Sequence, residues 1–161
     1  MKILILSDNH SKTIEFDTTK FDCVIHCGDY GRCFNILDED NILFVRGNCD
    51  LHGDDEIYKE INDKKIFITH GNRYDVKYTL NYLVEKAKLK GVNYCFYGHT
   101  HRQDYFICDG ITFINPGTYE LGYYAIIEDN ILKMYKDKKV LQKYDINWWC
   151  YDYKGATKIR Y

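Results

Sequence analysis

Residues 3–10 read Ile3-Leu4-Ile5-Leu6-Ser7-Asp8-Asn9-His10: four apolar residues, then an abrupt polar stop carrying a carboxylate and an imidazole. A short apolar run bounded by polar residues is the signature of a buried strand. The same pattern recurs along the chain. Cys23–Cys27 is stopped by Gly28-Asp29, Ile42–Val45 by Arg46-Gly47-Asn48, Lys65–Thr69 by His70-Gly71, and Tyr94–Tyr97 by Gly98-His99. Tyr105–Cys108, Thr112–Ile114, Tyr123–Glu128 and Ile131–Tyr135 are also strand-like. Asp109-Gly110 and Asp129-Asn130 form hairpin turns between them.

One helix is predicted. Val76, Leu80, Leu83, Val84 and Ala87 share one helical face, and Gly91 supplies a C-terminal stop. Ser11–Phe21 has room for a turn or two of helix at most. Strands with crossovers followed by hairpins predict an α/β layered domain with a mixed sheet or two packed sheets.

The chain has 161 residues, a one-domain length, and at 45% hydrophobic it can build a core. Residues 1–161 are expected to form that single domain. The tail 146–161, with Trp148, Trp149, Tyr151, Tyr153 and Tyr161, is expected as a closing strand or as an aromatic contact surface for a second subunit. With 22 basic and 24 acidic residues the formal charge is −2, which argues against gripping nucleic acid by bulk electrostatics. The apolar runs fall short of the roughly 7–15 residues of a secretory signal and the about 20 of a membrane span. The expectation is a cytoplasmic protein with no membrane partner. Seven cysteines, an odd number with no C-x-x-C pair, speak against a disulfide scaffold.

The strand ends carry the chemistry. Asp8, His10, Asp29, Asn48, His70, His99 and His101 follow five successive strands, and in α/β sheets the carboxyl ends of strands converge on one crevice. Asp-x-His and His-x-His place alternate side chains on one side of an extended segment, about 6–7 Å apart. These are hard or borderline donors suited to Mn, Ni, Fe, Zn or Co. Two such ions about 3.5–4 Å apart hold a hydroxide and clamp phosphoryl oxygens for in-line displacement, with Asp29 the natural bridge.

Ser7-Asp8-Asn9-His10, Gly28-Asp29, Gly47-Asn48-Cys49-Asp50, Thr69-His70-Gly71 and Gly98-His99-Thr100-His101 resemble the five signature blocks of the calcineurin-like metallophosphoesterase superfamily. Asn115-Pro116-Gly117-Thr118 resembles a further turn of its small bacterial and archaeal phosphodiesterase branch. The match runs from residue 1 to about 135, in the family's order. The resemblance implies a four-layer αββα sandwich of two mixed sheets and two divalent transition-metal ions, Mn foremost. It also implies the ligand division: Asp8, His10, Asp29 and His101 on one ion; Asp29, Asn48, His70 and His99 on the other. Asn48 would also touch a phosphate oxygen. The function implied is a phosphodiesterase on small or nucleotide-like diesters. The alternatives are a phosphomonoesterase or nuclease, or a scaffold such as the metallophosphoesterase-like subunit of the retromer coat.

Two departures from the family stand out. Many members carry His after the Asn as a proton donor to the leaving group. Here that residue is Cys49, a poor general acid near neutral pH, which favours diesters over monoesters. His52 is a substitute candidate, and Asp50 is either a turn residue or catalytic. The gaps from Asp8 to Asp29 and from Asp29 to Asn48, 21 and 19 residues, are short and predict trimmed first helices. Among Arg32, Arg73 and Arg102, each just past a ligand block, Arg73 is the first choice for substrate contact. His26, within a strand, is expected to be structural.

Overall fold

A computed structural model describes residues 1–32 and 39–146. The first sheet begins with β1 (Lys2–Leu6), β2 (Cys23–His26) and β3 (Ile42–Phe44), all parallel. It is completed by the antiparallel strands β9 (Tyr123–Glu128), β10 (Ile131–Lys136) and β11 (Lys139–Asp145), in the order β11-β10-β9-β1-β2-β3. The second sheet contains β4 (Glu56–Ile61), β5 (Lys64–Thr69), β6 (Tyr94–Phe96), β7 (Gln103–Cys108) and β8 (Ile111–Pro116), ordered β4-β5-β6-β8-β7. Its centre, β5, β6 and β8, is parallel and its two edges are antiparallel.

The period-two alternation of strands sorts the apolar side chains into three layers. Ile3, Ile5, Ile25, Ile66, Ile68, Phe96 and Ile114 fill the space between the sheets. Leu4, Leu6 and Val24 face outward under Ile14, Phe16 and Phe21. Phe67, Cys95 and Phe113 face outward under the single α-helix of the described residues, α1 (Asn81–Lys90), through Leu83 and Ala87. This is the αββα sandwich; among the described residues the outer layer over the first sheet consists of the segment after His10 and one 3₁₀ turn, Thr18–Lys20.

α1 starts five residues later than the Val76 register implies. Asp75 sits at φ 52°, a left-handed conformation that a helix does not pass through, so Val76 is buried from a turn rather than from the helix. Gly91, at φ 61°, ends the helix as expected, its N–H reaching Ala87 O and Lys88 O. Asp109-Gly110 and Asp129-Asn130 both have positive φ at two successive residues, the geometry of a type I′ hairpin turn. Of the tail 146–161, expected as a closing strand or an aromatic contact surface, residues 147–161 lie outside the described residues. Ile146, just before them, is buried between the sheets, and its N–H bonds Asn130 O. No helix of the described residues is long and apolar enough to cross a membrane.

Candidate metal centre

Every expected ligand lies just past the carboxyl end of a parallel strand: Asp8 and His10 after β1, Asp29 after β2, Asn48 after β3, His70 after β5, His99 and His101 after β6. Both sheets therefore deliver their donors to one edge of the sandwich. Hydrogen bonds lock the two edges together. His99 N–H donates to Asp8 Oδ2 at 3.1 Å, Tyr119 N–H to Ser7 O at 2.9 Å, and Thr118 Oγ1 to Asp8 O at 2.7 Å. Asn115 Nδ2 donates to Gly98 O at 3.1 Å. Residues 115–119 thus clamp the Asp8 loop against the His99 loop.

The seven residues come together in two groups, Asp8 with His10 and His101, and Asp29 with His70 and His99, each with its donor atoms within 4.8 Å of one another. Asn48 joins the second group, its Oδ1 standing 3.1 Å from His70 Nε2. His70 Nδ1 lies 2.7 Å from Cys27 O. A carbonyl only accepts, so Nδ1 carries the proton and the Nε2 lone pair of the neutral ring points into the site. Asp29 Oδ2, at 3.3 Å, and His99 Nδ1, at 3.1 Å, face that same Nε2. His10 Nε2 and His101 Nε2 meet at 3.2 Å. Around a neutral His70 the Nε2, the Asn48 Oδ1 and the Asp29 Oδ2 are all acceptors, and they repel unless a proton or a cation sits among them.

Asp8 makes the same point. It is 0% exposed, and among the described residues its Oδ1 accepts no hydrogen bond. That oxygen is 3.2 Å from His101 Nε2, 3.7 Å from His10 Nε2 and 3.9 Å from His70 Nε2, without hydrogen-bond geometry. A buried carboxylate oxygen with no donor is costly, and a metal ion is the usual remedy. Burial raises the pKa of Asp8 against the opposing pull of His70, Ser7 and His101. At Asp29 burial acts in the same sense but is outweighed: without a cation in the site, the Asp29 and Asp8 carboxylates raise the pKa of His70, and the protonated ring, with the Cys49 N–H, holds the Asp29 carboxyl below the usual range. Burial and the neighbouring His70 lower His99 to about 4, which keeps it a neutral donor. Oxygen and imidazole donors of this kind fit divalent transition metals.

The backbone is bent to make this arrangement. Asp8, His10, Asp29, His99 and His101 all have positive φ, 53°, 44°, 57°, 67° and 61°, a region that non-glycine residues seldom occupy and that clusters at functional sites. Gly47 is required for close approach, because a Cβ there would stand 2.0 Å from Asp29 Oδ1. At Gly98 a Cβ would stand 2.0 Å from Ser7 Oγ.

Other expected residues fall elsewhere. Asp50 spends both oxygens on the backbone: Oδ2 accepts N–H from Asp29 at 2.7 Å, Gly47 at 2.7 Å and Tyr30 at 3.3 Å, and Oδ1 accepts from Gly31 at 2.9 Å. Of its two sequence readings, this geometry favours the turn residue over the catalytic one. Asp50→Ala would strand those N–H groups and loosen the Asp29 loop. The expected result is metal affinity weaker by about tenfold, measured by titration calorimetry. An unchanged affinity would remove Asp50 from the support of Asp29.

Arg73, the first choice for substrate contact, is engaged in an ion pair. Its Nη2 is 2.8 Å from Asp55 Oδ2, a carboxylate it shares with Arg46, and its side chain is 56% exposed. Arg32 is better placed. It lines an open cleft of about 500 Å³ together with His10, Ser11, Cys49, Leu51 and His52. His52 thus stands at the cleft, and Leu51 offers it an apolar wall.

His26 is structural, as expected, and it also braces the site. Gly28 N–H donates to its Nδ1 at 3.1 Å, and its Nε2 bonds Asn9 Oδ1 at 2.9 Å. Asn9 in turn donates to Lys12 O and Tyr30 O. The neutral ring ties the Asp8–His10 loop to the Gly28-Asp29 turn, a role for Asn9 that no sequence signal revealed. Burial lowers the pKa of His26 from the ordinary 6.5 to about 3. As pH falls through this window the unfolded chain binds the proton first. The contribution of the neutral ring is therefore complete above about pH 6.5 and is lost toward pH 3, with a slope approaching roughly 1.4 kcal/mol per pH unit. Denaturant unfolding between pH 7 and pH 4.5 should show a steeper loss for the native chain than for His26→Gln. Parallel losses would remove His26 as the source.

The chain belongs to the calcineurin-like phosphoesterase superfamily, whose domain matches residues 1–126. It is 31% identical over 154 residues to a probable metallophosphoesterase of Bacillus subtilis, YsnB, covering 90% of this chain and 91% of that protein. Phosphodiesterase MJ0936 of Methanocaldococcus jannaschii is 35% identical over 145 residues, covering 73% of this chain and 83% of the relative. In fold the chain is similar to the zinc-complexed Vps29 of Entamoeba histolytica, with a TM-score of 0.75 at 20% identity, covering 91% of this chain and all of the other.

Proposed function

We propose that this protein is a two-metal-dependent phosphodiesterase acting on small or nucleotide-like diesters. The observation that carries the reading is the meeting of seven donor residues around the buried, unpartnered Asp8 Oδ1. The relative named a phosphodiesterase supports it. Asp8, His10, Asp29 and His101 would hold one ion, and Asp29, Asn48, His70 and His99 the other, with Mn the first candidate among Mn, Ni, Fe, Zn and Co. Such ions, when bound, supply Lewis acidity toward phosphoryl oxygens and a more acidic water as nucleophile.

The chain's own groups do the rest. Asn48 turns Oδ1 toward His70 and has one amide N–H on Cys49 Sγ at 3.4 Å, leaving the other for a phosphoryl oxygen. Arg32 stands at the cleft to take an anionic oxygen. Asp50 positions Asp29 through the backbone N–H groups it accepts. Cys49 supplies no strong acid: burial and the Asp29 carboxylate raise its thiol pKa further. The departing alkoxide must therefore be a good leaving group in its own right.

Protein prepared without chelator should contain about two divalent ions per chain and, with Mn or Ni, should hydrolyse an aryl phosphodiester faster than the matching monoester. Absence of diesterase activity across several metals would sink the proposal. The likeness to Vps29 favours one second reading, a scaffold of the same fold. Protein that hydrolyses neither diesters nor monoesters with any of these metals, whether or not it holds them, would select it.

A further inference from the structure

We propose that Cys49, with His10 and Asp29, forms a sulfur-containing donor set that captures a thiophilic divalent ion such as Zn²⁺ or Cd²⁺ and holds the centre in an inhibited state. The inference rests on the metal-centre reading above and adds an eighth donor to it.

The imidazole nitrogen of His10, the carboxylate oxygen of Asp29 and the Cys49 sulfur all lie within 4.8 Å of one another. The position of Cys49 is fixed from two sides. Its N–H donates to Asp29 Oδ1 at 2.9 Å, and Asn48 Nδ2 approaches its Sγ at 3.4 Å. The residue is exposed, so an ion arriving through the cleft that Cys49 lines reaches the sulfur directly. The second sign of a ligand here is independent of the cysteine: Asp8 Oδ1, fully buried and unpartnered, faces His10 Nε2 at 3.7 Å, the ring that both donor groups share.

The chemistry separates metals. Mn²⁺ prefers oxygen and imidazole and has little use for sulfur, whereas Zn²⁺ binds thiolate strongly and is satisfied by four ligands. Capture exchanges the S–H bond for an S–metal bond, and the proton leaves to solvent. A zinc ion held by His10, Asp29, Cys49 and one further donor has its coordination closed, and a catalytic site needs an open position. The same pocket would then work with one class of ion and be blocked by another.

The test uses Co²⁺ alone as the probe, added to the reduced, metal-free full-length chain. The expected spectrum has visible d–d bands together with a near-ultraviolet sulfur-to-cobalt charge-transfer band, and Cys49→Ser loses the second while keeping the first. Competition with Cd²⁺ should show affinity falling at least about tenfold in Cys49→Ser, with Mn²⁺ affinity little changed. Visible bands with no charge-transfer difference between the two proteins would overturn the sulfur donor and leave the two-metal reading standing. No cobalt bands in either protein would overturn both.

Discussion

Asp8→Asn should abolish diester hydrolysis and at the same time raise the melting temperature of the metal-free protein. The two effects have one cause. Asp8 is buried, and its Oδ1 has no donor among the described residues, an arrangement that a bound cation would relieve. In the variant, the amide oxygen can still accept from Ser7 Oγ and His99 N–H, as Oδ2 does now. The amide nitrogen then replaces the orphaned oxygen 3.2 Å from His101 Nε2, and a rotation of the half-exposed His101 ring would align the two for a hydrogen bond. An unmet buried acceptor costs about 1–3 kcal/mol. At about 2–4 °C per kcal/mol for a chain of this size, removing it should raise the metal-free melting temperature by several degrees. Activity moves the other way. Loss of groups that merely orient a metal ligand costs 10–100-fold in affinity or activity, so loss of a ligand's charge should cost at least about 10³-fold in kcat/KM. Scanning calorimetry with and without Mn²⁺, beside a diesterase assay, checks both halves. An inactive variant that melts below the native chain would mean that Asp8 is a structural residue rather than a stabilising sacrifice for metal binding.

That trade-off is visible at several positions, and it shows why part of the site could be read in the sequence and part could not. Asp8, Asp29, Asn48, His70, His99 and His101 announce themselves because each ends an apolar run, and parallel strands in both sheets point the same way. The positive φ of Asp8, His10, Asp29, His99 and His101 leaves no such mark, because the residues are chosen for ligation and not for their backbone preference. Asp50 was ambiguous for a different reason. A carboxylate beside a ligand reads alike whether it meets substrate or four backbone N–H groups, and only the path of the 28–31 loop decides. Arg73 and Arg32 are equally close to ligands in sequence, and the turn after Gly71 sends one to Asp55 while the other lines the cleft.

The fold shows a parallel limit. β4 and β11 carry no apolar run because both are edge strands: β4 is half exposed and broken by lysine and glutamate, and β11 is almost wholly exposed and broken by lysine and glutamine, as edges that avoid pairing with other chains tend to be. Central strands, buried on both faces, were legible from hydrophobicity alone.

Cys49→His should create monoesterase activity. The residue is exposed, follows Asn48 directly and lines the cleft beside His10, so an imidazole there faces the same space as the thiol. The thiol, with its pKa raised by burial and by Asp29, is a weak proton donor at pH 7, whereas an imidazole titrates near that pH. A positioned general acid is worth about 10²–10⁴-fold. The lower end is the expectation here, because Asp50, the neighbouring acid that would orient the new ring, already holds four backbone N–H groups and has no oxygen to spare. The gain, about a hundredfold in kcat/KM, should be confined to monoesters with poor leaving groups such as alkyl phosphates. Aryl diesters, whose leaving groups need little help, should change by no more than a few-fold. The rate on the alkyl monoester should also become bell-shaped in pH, its basic limb reporting the imidazolium. An equal gain on both substrate types would show that the substitution acts through metal binding and not through proton transfer. No gain on either would place residue 49 out of reach of the leaving group and return attention to His52 on the same cleft.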